Sequence, residues 1–364
     1  MPAAKEKIAL ILPNHLGDVV MATPALRALH HGRPDAEIHA VIRPELAPIL
    51  AGGAWIHRIW THAVYASGNP VRRLARRLAL SRELVRELGR LDCVIVLPNS
   101  FSSALWAFAT RAPRRLGYAR GGRARLLTDT LPPPREEGSV IPMAMERYYL
   151  GLVRHLGCPE RGAEVELFTD EASLRERDAL FLRHGIDAER PLVCFAPGAG
   201  FGPSKIWPLR YVAELARKLL DEELQVALVH APGEEHLADE ILRLTGPGPA
   251  NLGGAGMSLG LLKAILARAS LLICNDAGAR HIAAAFRVPA LVIMGPTDLR
   301  YTNLNLGLTR ILRADVECAP CHLKVCPIDH RCMTRVEPSR VLKEAHGALY
   351  DESWRGDVEL ELRG

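Results

Sequence analysis

The 364-residue chain holds no run of eighteen or more apolar residues, so no membrane-crossing helix is expected. Its first residues, MPAAKEKIALILP, lack the long apolar core and small-residue cleavage site of a secretory signal. A cytoplasmic protein with its eight cysteines mostly reduced is therefore expected. Aromatic residues make up only 5% of the chain and charged residues an ordinary 24%, as in a soluble globular protein. The turn after the first apolar run, Pro13-Asn14-His15-Leu16-Gly17-Asp18, has one glycine, not the G-x-G-x-x-G of a dinucleotide site. Gly198-Ala199-Gly200-Phe201-Gly202 has the wrong spacing for that fingerprint, and no Walker lysine motif occurs, which argues against dehydrogenases and P-loop hydrolases.

The net charge of +5 is unevenly spread. Residues 1–160 hold 22 Lys and Arg against 13 Asp and Glu, and the remainder holds 24 against 28. The excess sits in segments 72–86 and 111–125. Such runs are usually solvated faces, but a basic half also attracts an anionic substrate or an acidic membrane surface.

The length favours two domains. Apolar runs at 8–13, 38–42, 93–97 and 116–118 read as strands, with helices at 19–30, 70–90, 99–110 and 143–156 between and after them. Residues 120–140, rich in Gly, Arg and Pro, read as a surface loop. The alternation restarts with strands at 192–196 and 225–230 and helices at 209–220, 235–244 and 259–267. Strand 271–274, helix 282–286 and strand 290–294 then form a β-α-β unit. Two such halves without hairpin signals predict two doubly wound parallel sheets, with ligands at the carboxyl ends of their strands. In Asn275-Asp276-Ala277-Gly278, Asp276, the Ala277 and Gly278 amides and His281 would face an anion at a helix start. Taken singly, Asp276 and Asp18 could each be a helix cap, and His281 a surface histidine.

Three segments at strand ends carry residues suited to a nucleotide-sugar: LPNHLGDVVMATPALRAL (12–29), APGAGFGPSKIWPLRYVAELARKL (196–219) and LLICNDAGARHIAAAFRVPALVIMGPTD (271–298). Together they resemble the heptosyltransferases of lipopolysaccharide core assembly, glycosyltransferase family 9 with the GT-B fold. Leu-Gly-Asp followed by Thr-Pro-x-Leu, a Pro-Gly loop leading to Lys-x-Trp-Pro, and Asp-x-Gly-x-x-His before Gly-Pro-Thr occur in the family's order. The resemblance implies two Rossmann-like domains with an interdomain cleft: 1–170 for the acceptor, 171–337 for the nucleotide-sugar, and a C-terminal helix and tail, 338–364. That helix is expected to pack back on the N-terminal domain.

The same resemblance makes Asp18 the general base toward the acceptor hydroxyl and Lys205 the cation at the departing diphosphate. A helix N-terminus would lower the Asp18 carboxyl and weaken it as a base, which counts against this role. Gly17 suits close backbone approach or a tight turn equally well. Ser204 is expected to add a hydroxyl donor to the phosphates, and Asp276, Ala277, Gly278 and His281 to hold sugar and phosphate. Arg280 could contact phosphate or point to solvent. Glu234 or Glu235 would hold the ribose. Arg72, Arg73, Arg76 and Arg77 are expected to draw the enzyme to the anionic inner core at the membrane surface.

Cys318, Cys321, Cys326 and Cys332 could hold a structural zinc or be buried or transiently oxidised thiols. Cys93, Cys158, Cys194 and Cys274 lie in or beside apolar segments and belong to the core. GT-B enzymes generally need no catalytic metal, and no Asp-x-Asp is present to hold one. The resemblance thus implies a cytoplasmic transferase, peripheral to the inner membrane, moving a heptose-like sugar from ADP-heptose to a lipopolysaccharide inner-core acceptor, with no nucleic-acid partner. A nucleotide-sugar 2-epimerase of similar architecture and a non-catalytic sugar-binding protein are the alternatives.

Overall fold

The computed structural model describes residues 5–62, 69–254 and 256–355. The chain divides into two compact units, residues 1–168 with 300–302 and residues 169–299 with 303–364.

In the first unit, β1 (Lys7–Ile11), β2 (Glu37–Ile42), β3 (Arg58–Thr61), β4 (Cys93–Val96), β5 (Arg114–Tyr118) and β6 (Asp129–Leu131) form a parallel sheet. Its order is β3-β2-β1-β4-β5-β6. The helices are α1 (Leu16–Met21), α2 (Thr23–Gly32), α3 (Pro70–Leu88), α4 (Phe101–Ala109) and α5 (Met145–His155). Apolar residues of β1, β2 and β4 are buried on both faces, as strands covered by helices on each side must be.

Several sequence expectations change here. The single helix read over 19–30 is two, broken at Ala22 just before Pro24, whose ring cannot continue a helix interior. Strands β3 and β6 were not expected. The loop 120–140 contains β6 and a two-stranded antiparallel hairpin, β7 (Arg135–Glu136) with β8 (Ser139–Val140). These strands are too short to show an alternating pattern.

The second unit repeats the plan. Strands β9 (Leu192–Ala196), β10 (Gln225–Leu228), β11 (Ala250–Asn251), β12 (Leu271–Asn275), β13 (Ala290–Ile293) and β14 (Thr309–Leu312) run parallel in the order β11-β10-β9-β12-β13-β14. The helices are α6 (Glu171–Arg183), α7 (Leu209–Asp221), α8 (Glu235–Thr245), α9 (Leu259–Arg268), α10 (Gly278–Ala285), the short α11 (Arg331–Thr334) and α12 (Pro338–Tyr350). Helix α12 does not return to the first unit as expected. Val341, Ala345 and Ala348 bury their side chains in the second unit's core with Leu215, Leu219 and Met333. Its apolar stripe already has a partner there.

In both sheets the order reverses beside the first strand, between β1 and β4 and between β9 and β12. Such a switch point, at the carboxyl ends of the strands, opens a crevice for a ligand. The three motif segments sit at these points.

Candidate active site

In the first unit the chain leaves β1 through Leu12–His15 and enters α1. The N-cap of α1 is His15, whose side chain makes no capping bond, and Asp18 lies three residues on. Asp18 is therefore not the cap. Its Oδ1 accepts from the Tyr149 hydroxyl of α5 at 3.5 Å. Burial raises the Asp18 carboxyl above its usual value, and the opposing pulls of His15 and the Tyr149 hydrogen bond do not cancel it. The helix start was expected to lower this group; desolvation outweighs it. A carboxylate raised in this way is a better base. Gly17 is half-buried in the first turn of α1.

After β4, Asn99 occupies the neighbouring turn. Its Oδ1 accepts from Tyr148 Oη at 3.0 Å and Arg123 Nη2 at 3.1 Å. Arg123 is fully buried and also donates to the carbonyls of Tyr118 and Pro98. Neither Asn99 nor Arg123 was singled out from the sequence, because nothing local marks a loop arginine as buried.

In the second unit the loop after β9 brings Lys205 to the end of β12. Lys205 Nζ donates to Asp276 Oδ2 at 2.6 Å and to the Asp276 carbonyl at 2.9 Å, and lies 5.1 Å from the Phe201 ring centroid. Arg280 Nη1 donates to Asp276 Oδ1 at 3.0 Å, and Thr297 Oγ1 donates to Oδ2 at 2.6 Å. Burial alone would raise the Asp276 carboxyl, but Arg280, Lys205 and the Thr297 hydroxyl hold it well below the carboxylate range. Asp276 does not cap α10, whose N-cap is Ala277. Ala277 and Gly278 open that helix, so its N-terminus sits beside two cations sharing one carboxylate. The cluster carries a formal charge of +1 at a helix start, which suits a diphosphate.

His281 is buried, not a surface residue, and its imidazole is pushed down to about 3 by burial and by Arg280 and Lys205, against the pull of Asp276. It is neutral at physiological pH. Arg280 is buried on Asp276 and does not point to solvent.

The Ser204 expectation is corrected. Its hydroxyl donates to the Leu323 carbonyl at 2.6 Å and the side chain is buried, so its one hydrogen is committed. Of the two glutamates, Glu234 reaches the loop: a Cβ on Gly198 would meet its Oε2 at 2.1 Å. Glu235 lies in the first turn of α8, where backbone amides lower its carboxyl. Asn275, unforeseen, donates from Nδ2 to the Pro197 carbonyl at 2.6 Å and accepts on Oδ1 from the Trp207 amide at 3.0 Å. Its place beside Asp276 at a strand end was the available signal.

Arg76 is exposed and Arg77 half-buried on α3, whereas the side chains of Arg72 and Arg73 lie outside the described residues. All eight cysteines are free. Cys93, Cys158, Cys194 and Cys274 are buried as expected. Among the described residues no three or more His, Cys, Asp or Glu side chains are placed to hold a metal ion. The four cysteines of 318–332 thus form no such set: Cys318 and Cys321 are exposed, Cys326 is half-buried and Cys332 is buried.

Residues 79–331 match the family described as Glycosyltransferase family 9 (heptosyltransferase). Lipopolysaccharide heptosyltransferase 2 of Salmonella typhimurium is 30% identical over 363 residues, covering 95% of this chain and 99% of the relative. The solved structure of E. coli ADP-heptose LPS heptosyltransferase II is 27% identical, with a TM-score of 0.77 over 94% of this chain and 98% of that one. A family 9 glycosyltransferase from Veillonella parvula, 21% identical, shares the fold with a TM-score of 0.83 over 96% and 98% of the two chains. The chain belongs to glycosyltransferase family 9, the heptosyltransferases, and is a glycosyltransferase of the GT-B fold.

Proposed function

We propose that the protein transfers heptose from ADP-heptose to a lipopolysaccharide inner-core acceptor. The observation that carries this reading is the cluster of Lys205 and Arg280 on Asp276 at the start of α10. As the bond from the sugar to the diphosphate breaks, negative charge grows on the leaving ADP. Lys205, Arg280 and the helix start are already oriented to receive it, with no reorganisation needed at that moment. Glu234, against Gly198, would hold the ribose, and neutral His281 the sugar or phosphate. The raised Asp18 carboxylate takes the proton from the attacking acceptor hydroxyl.

On this reading the first unit takes the acceptor, and the arginines of α3 bring the enzyme to the anionic inner leaflet as a cytoplasmic, peripheral protein without a membrane span. Protein cations serve the leaving group, so catalysis calls on no metal.

The test is incubation of purified protein with ADP-heptose and a heptose-deficient lipopolysaccharide, with and without EDTA. Heptose on the lipopolysaccharide, at a rate unchanged by EDTA, is the expected product. Free nucleotide with an epimerised sugar in the absence of acceptor would instead mark a 2-epimerase. Ligand-induced stabilisation without any product would mark a binding protein.

A further inference from the structure

The cysteine-bearing segment 318–332 has no part in the chemistry described above, yet it grips both halves of the cation cluster. Ser204 N donates to the Lys324 carbonyl at 3.0 Å and Ser204 Oγ to the Leu323 carbonyl at 2.6 Å. A Cβ on Gly202 would lie 2.6 Å from the Lys324 carbonyl, so strap and loop are in direct backbone apposition. The amides of Cys321 and His322 donate to the Pro296 carbonyl at 3.1 and 2.8 Å, fixing the residue before Thr297. Finally, His330 Nε2 lies 2.7 Å from the Ser204 carbonyl. A carbonyl only accepts, so Nε2 carries the hydrogen.

His330 itself is held unusually. It takes the left-handed conformation, with φ of 58°, at the N-cap of α11, and its carbonyl accepts from the Met333 amide at 2.9 Å. That left-handed backbone, uncommon outside glycine and found more often in asparagine, aspartate and histidine than in other residues, aims the imidazole back at the peptide just before Lys205. The peptide plane between Ser204 and Lys205 is thus fixed on its carbonyl side by His330, while Asp276 fixes the far end of the lysine side chain.

We propose that His330 is a positioning residue for transfer. It holds the Ser204–Lys205 peptide so that the Lys205 ammonium meets the leaving diphosphate, and the 318–332 segment is the buttress through which it does so. This rests on the leaving-group role of Lys205. It gives the segment a function that needs neither bound metal nor a disulfide.

The experiment measures kcat and donor KM for Lys205→Ala, His330→Asn, His330→Gln and the double variant Lys205→Ala with His330→Asn, alongside melting temperatures. Asparagine tolerates the left-handed backbone but is too short to reach Ser204, whereas glutamine places an amide nitrogen at a reach close to Nε2. His330→Asn should lower kcat about 10- to 100-fold, the scale for a misplaced catalytic group, with donor KM changing less. His330→Gln should recover most of the rate, and the double variant should be no slower than Lys205→Ala. A His330→Asn enzyme at wild-type rate overturns the proposal, and so does a double variant slowed by the full product of the single effects. If His330→Asn fails to fold, His330→Gln decides: a near-wild-type rate supports the positioning role and a rate as low as that of Lys205→Ala overturns it. A fast Lys205→Ala enzyme sinks the leaving-group reading and the positioning role with it. A slow Lys205→Ala with a fast His330→Asn sinks only the latter.

Discussion

In the first unit Asp18 stands in the first turn of α1, the helix after β1, and in the second Asp276 stands in the turn after β12; the two sheets share one strand order, in which β1 corresponds to β9 and β12 to β4. Among the described residues Asp18 has a tyrosine hydroxyl and no cation hydrogen-bonded to it, and burial raises its carboxyl. Asp276 is the more deeply buried of the two, but two cations and a threonine hydroxyl overturn the effect of burial and depress it. The same sheet order therefore holds a carboxyl raised by burial in one unit and a depressed, ionised carboxylate in the other. The partners that neighbouring elements bring to each carboxyl set the direction of its shift. The first unit even keeps a buried cation, Arg123, but pairs it with neutral oxygens and not with Asp18.

The largest expected effect comes from removing the Asp18 charge. Asp18→Asn should lower transfer about 100- to 10,000-fold, the usual contribution of a general base, with donor affinity nearly unchanged. Because its folded pKa is raised, the ionised carboxylate costs stability at neutral pH and is relieved on acidification. Asp18→Asn should accordingly melt no lower than wild type at pH 7. A variant that melts clearly lower, or that still transfers at the wild-type rate, would end the contrast with Asp276.

Asp276→Asn should behave oppositely. It leaves two cations without their carboxylate and should cost about 3 kcal/mol at pH 7, within the range for a broken buried pair. The depressed Asp276 carboxyl contributes stability that is present above the usual carboxylate pKa and lost as pH falls through the folded value. The gap between variant and wild type, followed by chemical denaturation from pH 7 to pH 3, should therefore narrow only at the acid end. Transfer should fall too, since Lys205 loses its anchor.

Much of this site was legible in the sequence because the three motif segments are local: strand, turn and helix start follow one another within about twenty residues. Lys205, Asp276 and the start of α10 stand where those segments put them. What was not legible depends on distant partners. The hydroxyl bonded to Asp18 belongs to Tyr149, 131 residues away, and the hydroxyl of Ser204 is taken by Leu323, 119 residues away. The cap readings of both aspartates failed for a related reason, since capping depends on a one-residue register that a short polar turn does not fix. Helix α12 was misplaced because an apolar stripe shows that a helix packs, not which unit it packs against.

A smaller effect is expected from charge on the first unit's surface. Replacing Arg72, Arg73, Arg76 and Arg77 with glutamine should raise the acceptor KM about tenfold at physiological salt, where the roughly 4 kcal/mol that four arginines supply before screening is largely screened. Donor KM should barely move, because Lys205 and Arg280, the cations proposed to serve the donor, lie in the second unit. Equal insensitivity of both constants would make α3 an ordinary solvated face.

The smallest effect sharpens the reading of Asp18. Tyr149 lowers that carboxyl by hydrogen bonding, so Tyr149→Phe should raise it further. The acid limb of kcat/KM should then move toward higher pH, with the rate above the limb largely kept. A limb that stays put would show that the 3.5 Å contact does not tune the base.

The Asn275 amide has a consequence for timing. By bonding both the Pro197 carbonyl and the Trp207 amide, one side chain sews shut the loop that carries Lys205. Closing a flexible segment of that length costs about 2 kcal/mol in chain entropy. Here that loss falls when the chain folds, not when a substrate arrives. The lysine therefore waits in one place between turnovers, and a donor spends little of its binding energy on organising it. Asn275→Ala should shift that loss to the encounter, so the loop would have to be captured afresh in every cycle.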